Sequence, residues 1–292
     1  MRRTPFRAAL GVLLVLLAAA APLAARSGAA TSNLRMTTLR YGLLPEETIQ
    51  LITPDTTARR PLLVFVHGGA WKRGTLVPAE INDARSWAER TGWVVACVNY
   101  PTNVHPYWWT EPRAVATATA LVRRLPQVDP RRVAIWGESA GGQLALALAY
   151  RPHSGIRAVA SISGPTDMRM EYGSGVQPEV VRFEESVPAT AYARYLGTSA
   201  VAHVSPTIPA TFQAIGLADA LVPSDQVTEL DHELTTYGVQ HRTIEIATPD
   251  HATGLDEDRT SAGGPTVAQA ALDFLKSAFA EPLLSPPLLR QR

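Results

Sequence analysis

Gly137-Glu138-Ser139-Ala140-Gly141 follows a short apolar, β-rich run at 133–136 and opens an Ala/Leu-rich stretch at 141–150 with helical spacing. Strand, tight turn and helix in that order form the G-x-S-x-G nucleophile elbow. A serine on such a turn sits on strained backbone. Its neighbours must be small enough for the helix to fold back against the sheet while Oγ projects from the strand end. The flanking pattern separates this reading from a plain glycine-rich turn and makes Ser139 the candidate nucleophile.

A second motif lies upstream, where Val64-Phe65-Val66 runs into His67-Gly68-Gly69-Ala70-Trp71. An acyl-transfer site needs two N–H donors facing the nucleophile, and small residues let main chain approach that closely. The expected donors are the amides of Gly69 and Ala140, with Gly68 or Ala70 as substitutes. His67 precedes the glycines and is expected to brace the loop rather than act as a base.

In hydrolases with this elbow the remaining partners follow the serine as acid, then histidine. Asp219 lies in Gly216-Leu217-Ala218-Asp219-Ala220-Leu221-Val222-Pro223, and His251 lies in Pro249-Asp250-His251-Ala252. His251 is the expected proton carrier and Asp219 the acid that orients it. Asp250 and Asp225 are rival acids. Asp250 is badly aimed at its sequence neighbour, and Asp225 reads as a cap opening a helix. Trp71, Trp108 and Trp109 suit either a pocket lining or core and loop packing.

Outward from the elbow, apolar strand patterns at 48–52, 62–66, 93–98, 133–136, 158–162, 211–215 and 242–246 alternate with helical patterns at 83–90, 112–124, 141–150, 225–237 and 266–280. That alternation predicts an α/β fold, a mostly parallel central sheet with helices on both faces. Residues 31–280 are expected to form one domain. The stretch 166–203, rich in Gly, Pro and aromatics, fits least well and reads as a small insertion, a lid near the catalytic edge. Residues 281–292, with Pro282, Pro286 and Pro287, read as a flexible tail.

The chain of 292 residues is 46% hydrophobic and 18% charged, which suits a buried core rather than disorder. Arg2, Arg3 and Arg7 precede an apolar run at 10–21, and small residues follow, so 1–25 read as a signal peptide. A secreted or extracytoplasmic protein without a stable membrane anchor is the expectation. Cleavage after Ala25 removes three arginines and no acid, taking the formal charge from +1 to −2. No basic run with interleaved aromatics marks a nucleic-acid partner. The single cysteine, Cys97, cannot form an internal disulfide and reads as a buried thiol. No H-E-x-x-H, clustered Cys/His or G-x-G-x-x-G pattern calls for a metal or a nucleotide cofactor, so none is expected. Oligomeric state is not legible.

The chain resembles the α/β-hydrolase carboxylesterases that include hormone-sensitive-lipase-like enzymes, bacterial feruloyl and acetyl xylan esterases, and kynurenine formamidase. The resemblance rests on Tyr41-Gly42, residues 51–54, 67–71 and 129–133, residues 137–142, Ser205-Pro206 and residues 216–223. His67-Gly68-Gly69-Ala70-Trp71 is more similar to the feruloyl/acetyl esterase and formamidase branch than to the HGGG lipases. Two departures stand out: Pro101 where such families commonly carry Arg, and Ile215 where a His often precedes the acid loop. The resemblance implies a serine esterase for small to medium acyl groups, with an aryl-formamide or other amide hydrolase on the same triad as the alternative. A non-catalytic binding protein on the same fold is a further alternative.

Overall fold

The computed structural model describes residues 33–247, 251 and 264–280. Strand β3 (Arg60–Val66) shows why this chain builds a sheet covered on both faces. Leu62, Val64 and Val66 enter one hydrophobic core, whereas Leu63 and Phe65 enter the other. The period of two sends successive side chains to opposite faces, so a strand apolar at every position must be buried on both. Strand β5 (Val128–Glu138) repeats the division: Val133 and Ile135 go to the first core, Ala134 and Trp136 to the second.

The remaining strands are β1 (Leu34–Arg40), β2 (Thr48–Pro54), β4 (Val94–Val98), β6 (Ala158–Ile162), β7 (Ala210–Gly216) and β8 (His241–Ile246). They order as β1-β2-β4-β3-β5-β6-β7-β8. The β1–β2 and β2–β4 pairs are antiparallel, and every pair from β4 onward to β8 is parallel. Helices α2 (Tyr107–Arg123), α3 (Ala140–Ala149) and α7 (Asp225–Thr236) carry apolar faces into the first core. Helices α1 (Pro78–Thr91) and α8 (Val267–Ala280) carry theirs into the second, where Trp87 stacks on Trp136 with ring centres 4.4 Å apart. This is the α/β-hydrolase architecture implied by the sequence.

Two differences from the sequence reading have physical reasons. β1 was not anticipated, because Leu34-Arg35-Met36-Thr37-Thr38-Leu39-Arg40 is an edge strand, mostly exposed, with no buried face to impose an apolar pattern. α2 begins at Tyr107 rather than Pro112. Proline lacks an N–H and so suggests a first helical position, yet here Pro112 sits inside the helix and deprives only the Trp108 carbonyl of its usual donor.

The stretch 166–203 folds into α4 (Met168–Glu171), α5 (Gln177–Glu184), α6 (Pro188–Thr198) and a 3-10 turn (Ala200–His203). Pro178 and Pro188 occupy first-turn positions of α5 and α6, where the missing N–H has no intrahelical role. Met168, Val180, Phe183 and Tyr195 anchor these helices in the first core. Cys97 is fully buried in β4. The expected signal peptide (1–25) and tail (281–292) lie outside the described residues. Among the described residues no helix is long and apolar enough to cross a membrane.

Candidate active site

Parallel strands deliver their following loops to one edge of the sheet. The 67–73 loop leaves β3, Ser139 ends β5, Asp219 lies past β7 and His251 past β8. Ser139 takes φ 52° and ψ −125° between β5 and α3. That left-handed conformation is costly for a residue with a Cβ. It is held by the Ser139 amide, which donates to the Ile162 carbonyl at 2.9 Å, and by the close return of α3. Gly141 permits that return, since a Cβ there would overlap the Val66 and His67 carbonyl oxygens.

The structure brings Ser139, His251 and Asp219 together. His251 Nε2 lies 2.7 Å from Ser139 Oγ, and Nδ1 lies 2.7 Å from Asp219 Oδ2. An ionised carboxylate only accepts, so Nδ1–H donates to Asp219 and Nε2 is left to accept from the serine hydroxyl. Asp219 Oδ1 accepts from the Leu221 and Val222 amides at 2.9 and 3.1 Å. The Asp219 side chain is wholly buried. Burial pushes its carboxyl upward, but the His251 ring and the two amides outweigh this and hold it below the ordinary carboxylate range. Of the rival acids, Asp225 is the first residue of α7, after an N-cap at Ser224, and is not the partner of Nδ1. Asp250 lies outside the described residues.

Gly68 lies directly against the serine: a Cβ on it would come within 3.1 Å of Ser139 Cβ. Gly69, Ala70 and Trp71 follow with φ of 119°, 52° and 54°. Gly68, Gly69, Ala70 and Ser139 line one cleft with His251, of about 500 Å³, and Ala140 follows the serine as the first residue of α3. Of the expected donors, Gly69 and its substitutes Gly68 and Ala70 thus line the cleft, and Ala140 adjoins it through its chain neighbour Ser139. His67 points away. It is buried, stacks on Tyr100 with ring centres 4.5 Å apart, and directs Nδ1 at the Gly68 carbonyl, 2.6 Å away. Burial lowers its imidazole to about 4, which keeps it neutral. It braces the loop, as its position before the glycines suggested.

Four acids in the cleft wall carried no expectation from sequence: Glu80, which accepts from the Val77 amide at 2.7 Å, Glu138, Glu171 and Glu179. Glu138 receives the Trp136 indole N–H at 3.2 Å, and burial, with like charge from Glu80, pushes it up to about 8. Glu171 on α4 accepts from Ser174 and Gln226 and is pushed up to about 7, chiefly by burial. Glu179 on α5 pairs with Lys72. No local motif marks Glu171 or Glu179, because only the folding of 166–203 brings them here. Of the three tryptophans, Trp71 both lines the cleft and packs: it is buried, stacks on Phe183 and donates to Gln143 Oε1 at 3.2 Å. Trp108 packs under Arg194, and Trp109 is exposed.

Comparison with known proteins bears on the family and the fold. The BD-FAE family model matches residues 49–234. The chain is 29% identical over 192 residues to a protein of Mycobacterium tuberculosis named "Probable carboxylic ester hydrolase LipM", covering 59% of this chain and 44% of that one. The chain thus spans less than half the length of that relative. Among solved structures, a truncated carbohydrate esterase from gut microbiota superposes with a TM-score of 0.73 at 18% identity, over 86% of this chain and 98% of that one. Esterase B from Lactobacillus rhamnosis superposes at 0.69 and 18% identity, over 86% of each chain. At such identity the likeness is one of fold.

Proposed function

The chain belongs to the BD-FAE family, and on that premise we propose that it is a serine carboxylic ester hydrolase acting on esters of small to medium acyl groups. The observation that carries the reading is the unbroken relay Ser139–His251–Asp219, with both contacts at 2.7 Å, opening on a cleft beside the glycine loop. In this reading Ser139 Oγ attacks the acyl carbonyl as Nε2 of His251 takes its proton. The oxyanion that forms is held by backbone amides of Ala140 and Gly69, with Gly68 or Ala70 adjoining. The imidazolium, stabilised by Asp219, returns the proton to the departing alkoxide, and water repeats the cycle in reverse to free the acid.

Relatives named as ester hydrolases and carbohydrate esterases support the reaction class. A cleft of about 500 Å³ supports a modest acyl or alcohol group. Arg2, Arg3 and Arg7 before the apolar run at 10–21 support the further proposal that the enzyme is exported to a secreted or extracytoplasmic setting. The test is turnover of a p-nitrophenyl ester series from acetate to laurate, beside a feruloyl ester and an aryl formamide. Turnover strongest for the short and medium esters is expected. Exclusive turnover of the formamide would transfer the same triad to amide hydrolysis, and no turnover by folded protein would point to a binding role.

A further inference from the structure

Building on the proposed ester hydrolysis, we propose that Arg182, on α5 and outside the cleft, is a positioning residue that holds the oxyanion-hole turn in its working conformation. Residues Gly69-Ala70-Trp71-Lys72 form a reverse turn closed by the Lys72 amide on the Gly69 carbonyl at 3.0 Å. Its two central residues, Ala70 and Trp71, have φ of 52° and 54°. Positive φ at both central positions belongs to type I′ turns, which favour Gly, Asn and Asp. Alanine and tryptophan there are strained, and strain of this kind persists only where surrounding contacts over-determine it.

Those contacts converge from α5 and from the loop after β4. Arg182 Nη1 donates to the Trp71 carbonyl at 2.7 Å, and its Nη2 donates to the Thr102 carbonyl. Thr102 Oγ1 in turn donates to the Lys72 carbonyl at 3.0 Å. The guanidinium lies over the Tyr107 ring, 4.0 Å from its centre, which fixes the plane of the fork. Because a peptide unit is rigid, holding the Trp71 carbonyl also aims the Lys72 N–H in the same plane at Gly69 O. Fixing Gly69 O sets the direction of the Ala70 N–H in the same peptide plane and, through the φ and ψ of Gly69 together, constrains that of the Gly69 N–H. The Lys72–Glu179 pair and the Trp71–Phe183 stack, 5.1 Å between centres, tie the same turn to α5. Arg182 thus reaches the reacting atoms only through the backbone it holds.

The experiment compares wild type, Arg182→Ala and Arg182→Lys on the best p-nitrophenyl ester and on its matched thionoester, whose sulfur is a poor acceptor for oxyanion-hole N–H groups. Arg182→Ala is expected to lower kcat for the ester about 10- to 100-fold, with KM within about threefold, because misaimed donors weaken only the charged intermediate. The ester-to-thionoester ratio of kcat/KM should fall with it, while the pH profile keeps its shape. Arg182→Lys keeps the positive charge but not the fork, should fall between, and carries the test if the alanine variant does not fold. Ester and thionoester falling by the same factor, or no fall in kcat, would overturn the inference while leaving the esterase reading intact. Wild type inactive on every ester would overturn both.

Discussion

His251 Nδ1 stands 2.7 Å from Asp219 Oδ2, and the other oxygen of that carboxylate is already engaged by the Leu221 and Val222 amides. The acid therefore has one oxygen to orient the imidazole and one to fix itself. Replacing it by asparagine at the same size can present an amide donor to Nδ1 and select the wrong tautomer. Asp219→Asn is expected to lower kcat by on the order of 10⁴. Asp225→Asn, at the start of α7, should change kcat by less than about threefold. Steady-state kinetics on one ester checks both.

His67 and His251 should separate cleanly. His67 is buried, held neutral, and bonded to the Gly68 carbonyl, so His67→Gln should lower thermal stability and leave the pH dependence of kcat/KM unchanged. His251→Ala should cost on the order of 10⁶ in kcat. A pH profile that changes shape on His67→Gln would reassign the base.

Gly141→Ala places a Cβ into the Val66 and His67 carbonyls, backbone that cannot yield as a side-chain tip could. A loss of about 2–4 kcal/mol is expected from such overpacking. Urea unfolding measures it, and a loss under about 0.5 kcal/mol would mean that α3 does not return so closely.

Glu138 gives a signed pH effect. Its carboxyl is raised in the folded protein from an ordinary 4.5 to about 8, so the folded state holds a proton that the unfolded chain has released. Its contribution to stability is whole below about 4.5 and is lost as pH rises towards about 8. Glu138→Gln removes this dependence. The variant should gain melting temperature relative to wild type at pH 8–9 and little at pH 5. An equal gain at both would contradict the buried, proton-holding carboxyl.

Much of this site was legible in the sequence because its parts obey local rules. The elbow needs Gly141 for contact with the main chain of β3, and the strands are apolar because both faces are covered. Asp219 and His251 were reachable from chain order alone, and the structure sets them 2.7 Å apart across 32 residues. The rest depends on distant packing. β1 has no buried face to write a pattern, and Pro112 mimics a helix start while sitting inside one. Arg182 reaches Trp71 across 111 residues, and a lone arginine in an irregular stretch carries no periodic or motif signal. Glu138 was in plain view, yet its proton depends on burial and on like charge from Glu80 and Asp83, none of which a motif encodes.

The central claim is that Ser139, relayed to Asp219 through His251, is the nucleophile of ester hydrolysis. Its most direct test is hydrolysis of p-nitrophenyl butyrate by purified wild type and Ser139→Ala, with mass spectrometry of each after exposure to a fluorophosphonate. The expected result is a loss of on the order of 10⁶ in kcat, with one adduct on Ser139 in wild type and none in the variant. Ester turnover that survives Ser139→Ala, or an adduct on another residue, would contradict it.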